Sequence, residues 1–529
     1  GAADPVATRR RRRAVLAALA VLVVGAVAFV ALAALRTVEI EITGIAAGAV
    51  VNPDNIVDTR FDFVVDGGDL SAAALLLDGL PVSGVQRYDD RLSWVVPPLT
   101  EGPHTVGVEV PRRFFGTAAA AVSFTVDGTP PDLGLAAVHT PVPLDEPFVL
   151  TAPVEPGVDV LVDGVPVDTS GGSFTVEFDQ PPAGPISLVA VDAAGNTTTL
   201  DVVVPIAYPP TTGVHVTAAA WAHDGLRAGI IELIDANMIT AVQLDLKDER
   251  GYIGYASDIP LARRIESTQG LFELDEAIAD LHARGVRVIG RIVAFLDPTL
   301  GRYAARTGNT DWVLTGRNGV PLANRYGTGV FTNFADPDVR RYNLDIAREA
   351  AEAGIDDVLW DYMRRPEGDL DAMVVPGFDG GDPSPLIVSF LAEAGEMLRG
   401  YGVYHGVSVF GVSARRGDSI AQDVVAMSDH VDYVAPMVYP SHWSRGEYGV
   451  AHPEAQPADI TEASLRDFQA VLAGTNTSIV PWLQDFSLRV DYGAREVQAQ
   501  INAAAGVGID DWLLWDPTVT YTEGGIPST

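Results

Sequence analysis

The chain has 529 residues, 70 acidic against 35 basic, with 47% hydrophobic residues and no cysteine. It is too long for one small domain and too apolar for disorder, so several globular units are expected. The lack of cysteine excludes disulfides, a thiolate nucleophile and Cys-ligated metal centres, and a net charge of −35 argues against a nucleic-acid partner, because phosphate neutralisation needs a basic face. Among the basic residues Lys247 is the sole lysine. The excess of arginine fits a GC-rich genome or a salty habitat.

Residues 1–13 form a basic stub ending in the run Arg9–Arg13, and 14–35 are a stretch without charge or polar side chain. As a helix those 22 residues span about 33 Å, enough for a bilayer core. The arginines in front hold that end in the cytoplasm and place the body outside. A cleaved signal peptide, suggested by the small Ala31 and Ala33, gives the same extracytoplasmic body. From residue 37 onward the chain carries a net charge of −40, which suits neutral or cationic glycans better than anionic lipid headgroups.

Residues 37–206 show short β-branched alternations, such as Val38–Ile42 and Phe61–Val65, broken by Gly, Pro and Asp. That pattern predicts β-sandwiches. Leu77-Asp78-Gly79-Leu80-Pro81-Val82 recurs as Val162-Asp163-Gly164-Val165-Pro166-Val167, and Glu101–Thr105 is matched by Ala183–Ser187. The repeat divides the region into tandem domains at 37–128 and 129–206. The ending Val191–Asn196 resembles that of bacterial immunoglobulin-like modules, whose simplest role is that of a spacer.

After Pro209-Pro210 the rhythm changes. Apolar runs begin near Val214, Ala241, Val286, Asp357, Tyr404, Val431, Ser478 and Asp511, with helix-like segments such as Leu271–Arg284, Pro337–Ala353, Ser419–Met427 and Tyr492–Ala505 between them. Eight strands alternating with helices over residues 207–529 predict a (β/α)8 TIM barrel. In such barrels the working groups stand where strands end. The second strand ends in Asp245, Lys247 and Asp248. Alternation predicts that Lys247 and Asp245 share a face, that Lys247 pairs with Asp245 or Asp248, and that it reaches a ligand. The competing structural reading is an ion pair on the rim. The fourth strand ends in Asp361, followed by Arg364 and Arg365, cations that would keep it ionised as a nucleophile or oxocarbenium stabiliser requires. The sixth, seventh and eighth strand ends bring Tyr439 and His442, then Trp482, Gln484 and Asp485, then Trp512, Trp515 and Asp516. Aromatic faces beside carboxylates and amides suit a sugar; Trp482 and Trp515 are the expected platforms and Trp512 a core residue. There is no serine-hydrolase elbow, phosphate loop or metal-spaced His pair in the sequence, so no cofactor or metal is expected.

At Ala241–Tyr255, Arg291–Pro298, Trp360–Pro366, Pro436–His442, Pro481–Phe486 and Trp512–Trp515 the chain resembles a bacterial family named Putative glycosyl hydrolase domain, over about 213–525. The resemblance implies a sugar-cleaving barrel distantly like retaining amylase-type and galactosidase-type enzymes, with Asp361 as nucleophile and Arg291 among the substrate-binding residues. The sequence departs from the family's pattern at Trp360, Met363 and Arg365, and has Asp516 where Asn is expected. The expected function is a membrane-anchored hydrolase of a cell-envelope or environmental polysaccharide. Asp361 would act with Asp485 as acid/base, Asp245 in reserve, and with retention. The substrate would be held by Lys247, Asp248, Arg291, Arg364, Tyr439, His442, Trp482, Gln484 and Trp515. The alternative is a non-catalytic envelope protein that binds glycan or a partner protein through a degenerate barrel.

Overall fold

The computed structural model describes residues 5–34, 38–112, 116–135, 140–182, 184–369 and 372–527. Residues 1–4 of the expected stub, Leu35 of the expected anchor, Thr37 and the repeat residue Ala183 lie outside them. Pro5–Ala34 is one helix, and its segment Arg12–Phe29 is long and apolar enough to cross a membrane. The chain divides into two compact units: Gly1–Ala136 with Leu150–Val176 and Ile186–Val202, and Ala137–Val149 with Glu177–Pro185 and Val203–Thr529.

The first unit is β-rich beyond its helix. A four-stranded sheet (Glu39–Thr43, Arg60–Asp66, Arg91–Val95, Gln86–Arg87) and a five-stranded sheet (Val50–Val51, Thr117–Val126, Gly102–Pro111, Ala74–Leu77, Leu80–Pro81) enclose Phe61, Phe63, Leu92, Trp94, Val106 and Phe124. A further antiparallel sheet holds Val165–Val167, Asp159–Val162, Ile186–Val191 and Thr197–Val202. The sequence repeat has a physical basis here. Asp78-Gly79 and Asp163-Gly164 have φ of 51° and 78°, and 49° and 78°, the two left-handed residues of a tight hairpin turn. Each Asp carboxylate then accepts a hydrogen bond from the next strand, at Thr105 N–H or Ser187 N–H, both 2.8 Å.

The second unit contains a closed barrel of eight parallel strands, β1 (Thr212–Val216), β2 (Ala241–Lys247), β3 (Arg287–Val293), β4 (Asp357–Asp361), β5 (Tyr404–Phe410), β6 (Tyr433–Met437), β7 (Trp482–Gln484, preceded by Ser478–Ile479) and β8 (Trp512–Trp515); β8 pairs with β1, and β1 with β2. Alternation sorts its two faces. Val214, Val242, Leu244, Val288, Ile292, Val358, Trp360, Val434, Trp512 and Leu514 face the helices, whereas Ala241, Ile289, Leu359, Tyr433, Ala435, Trp482 and Leu513 fill the interior. Each fully buried aliphatic side chain contributes roughly 1.5–3 kcal/mol, so the register is strongly specified. Helices Pro337–Glu352 and Ala494–Gly506 lie where expected, whereas the helix expected from Leu271 starts only at Leu274, because Leu271 and Phe272 end a strand, Thr268–Phe272. Ser419–Met427 does not form one helix, because Ala421 is left-handed (φ 60°); a 3-10 turn, Gly417–Ile420, is followed by the short helix Val424–Ser428.

Candidate active site

The parity that sends Ile289 and Leu359 inward also sends in Arg291, two residues after Ile289, and Asp361, two after Leu359. Arg291 is 1% exposed and is the centre of the open end. Its Nε and Nη2 donate to Asp361 Oδ2 at 2.9 and 2.6 Å, its Nη1 donates to Asp245 Oδ1 at 2.9 Å, and Nη2 also donates to Glu249 Oε1. Beneath it, His215 Nε2 lies 3.1 Å from Asp245 Oδ2, and the His215 ring stacks on Trp515 at 3.7 Å and 12°. The guanidinium itself stands 5.0 Å from the Trp515 centroid. Burial disfavours the charge on Asp245, yet the charges of His215 and Arg291 outweigh it and hold the carboxyl down at about 2.

Asp361 is fixed from a second direction. Tyr362 is left-handed (φ 53°), which turns its N–H onto Asp361 Oδ1 at 2.7 Å. A non-glycine residue in that region costs of order 1 kcal/mol, and the strain falls directly after the carboxylate it orients. Above these groups opens a cavity of about 510 Å³. Glu249, Arg291 and Asp361 lie among its lining charges, with Arg325, Arg364 and Glu367; its walls are largely aromatic, from Tyr326, Tyr362, Phe410, Tyr439, Trp443, Trp482 and Trp515, with His442 beside them. Burial, then the charges of Arg489 and Arg325, pushes the His442 imidazole below its ordinary value. The arrangement supplies anchored carboxylates in an aromatic-walled cleft, fit for polar rings with C–H faces.

A family model, Putative glycosyl hydrolase domain, matches residues 213–521. The chain belongs to this family. Within the glycosyl hydrolase domain the match spans β1 to the turns after β8, and so contains the whole cavity. No curated protein matches. Among solved structures, a hypothetical protein from Ruminiclostridium thermocellum ATCC 27405 is 28% identical over 37% of this chain and 96% of that one, with a TM-score of 0.32. The PgaB (BpsB) glycoside hydrolase domain from Bordetella bronchiseptica is 14% identical over 59% and 95%, TM-score 0.44. An endo-1,4-beta-D-mannanase from Thermotoga petrophila RKU-1 is 15% identical over 58% and 88%, TM-score 0.40.

Of the residues singled out in the sequence, the glycosyl hydrolase domain brings Arg291, Asp361, Arg364, Tyr439, His442, Trp482 and Trp515 to the cavity, with Asp245 buried beneath. The cation on Asp361 is Arg291, not Arg364 or Arg365. The left-handed turn at Tyr362 diverts the chain, so Arg364 lies among the rings of Tyr326, Phe331, Tyr362 and Phe410 and bonds Glu367, while Arg365 bonds Asp418 O. Lys247 does not pair with Asp245 or Asp248. A register shift in the β2–β3 ladder between Asp245 and Lys247 breaks the alternation, and Lys247 turns outward to Asp297 (2.9 Å), Asn343 Oδ1 (2.8 Å) and Ala294 O. Asp248 builds a turn, accepting from the Arg250 and Tyr252 N–H groups. Gln484 ties two strand ends, accepting from Ser441 N–H and donating to Phe486 O. Asp485 follows β7 at the same end of the barrel as Asp361, but its carboxylate accepts from Thr522 N–H and Oγ1–H and does not line the cavity. Burial, despite those bonds, pushes Asp485 up to about 6. Asp516 is likewise a turn-builder, accepting from Thr518 N–H.

The sequence reading passed over several contributors, among them Arg325, Tyr326, Glu367 and Phe410 of the cavity wall, and His215, Glu249 and Tyr362 of the charged network. His215 could have been found from parity on β1, as the polar residue between Val214 and Val216. Glu249 stands past the bulge in a turn, where periodicity carries no signal, and Tyr362 is unremarkable until its φ is known.

Proposed function

We propose that the protein is a membrane-tethered, extracytoplasmic glycoside hydrolase that cleaves a cell-envelope or environmental polysaccharide in the cavity above Arg291, with Asp361 as nucleophile. The observation that carries this reading is the double hold on Asp361. Arg291 donates two hydrogen bonds to one carboxylate oxygen, and the Tyr362 N–H donates to the other, beside a cleft walled by aromatic rings. Such a carboxylate can stabilise an oxocarbenium-like transition state or attack the anomeric carbon, and family membership points to the same chemistry. The arginine run and the apolar helix support tethering, and residues 37–128 and 129–206 serve as immunoglobulin-like spacers between membrane and barrel.

The test is a panel of phenyl and 2,4-dinitrophenyl glycosides of glucose, galactose, mannose and N-acetylglucosamine in both anomers. Turnover of at least one by the wild type, lost in Asp361→Asn, is expected. No turnover across the panel, or an active Asp361→Asn, overturns the reading. Tethering predicts that the full chain stays with membranes through alkaline carbonate extraction.

A further inference from the structure

We infer that Glu249 is the second catalytic carboxyl, the acid/base that completes the Asp361 site; this rests on the hydrolase reading above. Glu249 and Asp361 accept hydrogen bonds from the same atom, Arg291 Nη2. Two such bonds end to end span at most about 6 Å between the facing oxygens, which is compatible with the roughly 5–5.5 Å between carboxyl groups of retaining enzymes.

The surroundings of the two carboxyls divide the roles. The Asp361 side chain is 7% exposed and held through both oxygens, as a nucleophile that must not move requires. The Glu249 side chain is 39% exposed, lines the same cavity and can exchange its proton with water in each cycle. One guanidinium also faces three carboxylates, Asp245, Asp361 and Glu249, and His215 Nε2 stands 3.1 Å from Asp245 on its far side. Glu367, the other lining carboxylate, is instead clamped between Arg325 (2.8 Å) and Arg364 (3.3 Å).

Glu249 is also placed by its backbone. It sits in a turn closed by Asp248 N–H to Tyr252 O and Gly251 N–H to Asp248 O, both 3.0 Å. Gly251 is left-handed (φ 80°), and a Cβ there would collide with the Asp297 carboxylate. Asp297 is in turn pinned by Lys247 and by its bond from Leu300 N–H at the start of helix Pro298–Thr307. The lone lysine therefore acts from behind the turn as a positioning residue.

In the first step the Glu249 carboxylic acid gives its proton to the glycosidic oxygen as that oxygen's bond to the anomeric carbon breaks. An Asp361 carboxylate oxygen forms the new bond to that carbon, and the leaving sugar departs as an alcohol. In the second step the Glu249 carboxylate takes a proton from water, whose oxygen displaces Asp361. Both carboxyls return to their starting states and one water has been added across the bond.

The experiment compares leaving groups on whichever sugar of the panel is turned over. A phenyl glycoside needs the proton and a 2,4-dinitrophenyl glycoside does not. Glu249→Gln should lose about 100-fold or more on the phenyl substrate yet keep a burst of dinitrophenolate, and the basic limb of its pH profile should vanish. Azide should restore turnover to Glu249→Ala and yield a glycosyl azide of the substrate's own anomeric configuration. Unchanged turnover of the phenyl glycoside, or an equal loss on both substrates with no azide rescue, overturns the role of Glu249; with Asp361→Asn inactive in the same assay, the hydrolase reading survives that failure.

Discussion

Strands β3 and β4 carry the same pair of residues twice, four positions apart. Arg291 with Asp361 stands at one end of the barrel and Arg287 with Asp357 at the other, the latter pair joined at 2.5 Å. Ladder offset and chemistry are identical; surroundings are not. Arg287 also donates to Thr211 Oγ1 and lies 5.1 and 5.4 Å from the rings of Tyr208 and Tyr404, and Tyr208 stacks on Tyr433, so that end is plugged by its own side chains. Arg291 has one ring behind it, two further carboxylates, Asp245 and Glu249, around it, and a cavity in front. Burial pushes Asp357 up to about 7 despite Arg287, with Asp356 and Asp432 adding to the rise, whereas the network at the open end leaves Asp245 ionised. An Arg–Asp pair on a barrel strand is thus neutral about function; the walls decide whether it is a plug or a site.

The comparison breaks most visibly under paired substitutions. Asp361→Asn is expected to abolish hydrolysis by several orders of magnitude with little change in melting temperature, while Asp357→Asn should leave kcat/KM within a few-fold. If the Asp357 variant is the inactive one, the ends have been assigned the wrong way round. Next in size, Lys247→Met leaves the Asp297 carboxylate buried without its cation and should cost about 3 kcal/mol in urea unfolding. It should also lower kcat more than it raises KM, since Glu249 would lose its support.

The pH dependence of stability sharpens the contrast. Asp357 holds its proton more tightly folded (about 7) than unfolded (about 4), so its contribution is complete below about pH 4 and is lost as pH rises through about 7. Asp357→Asn should flatten that decline; a melting-temperature profile identical to wild type between pH 4 and 8 would remove Asp357 as its source. The smallest effect is expected at Asp485, whose bonds to Thr522 can be partly kept by an amide. Asp485→Asn should alter turnover only a few-fold, and an inactive variant would return the acid/base role to it.

The strand starts were readable because burial on both faces writes apolar runs into a sequence, and the start near Ala241 is that of the strand itself. The repeated Asp-Gly turns were readable because only a few residue types tolerate paired left-handed backbone. Asp361 stood out as a charge at an apolar strand end. The identity of its partner did not, since Arg291 is 70 residues earlier in sequence and meets it only through the β3–β4 ladder. The wrong direction for Lys247 has a local cause: one bulge reverses every parity argument beyond it, and no residue in Leu246-Lys247-Asp248 announces a bulge.

That bulge leaves the chain's one ε-amine at 0% exposure, packed 5.0 Å from the Tyr342 ring. Acylating reagents directed at amines therefore meet no lysine on the folded surface, and a protease that cuts after lysine finds no site there. Unfolding the barrel releases a single Nζ, so the appearance of one lysine acylation reports opening of the β2 region against a silent background, with no label introduced.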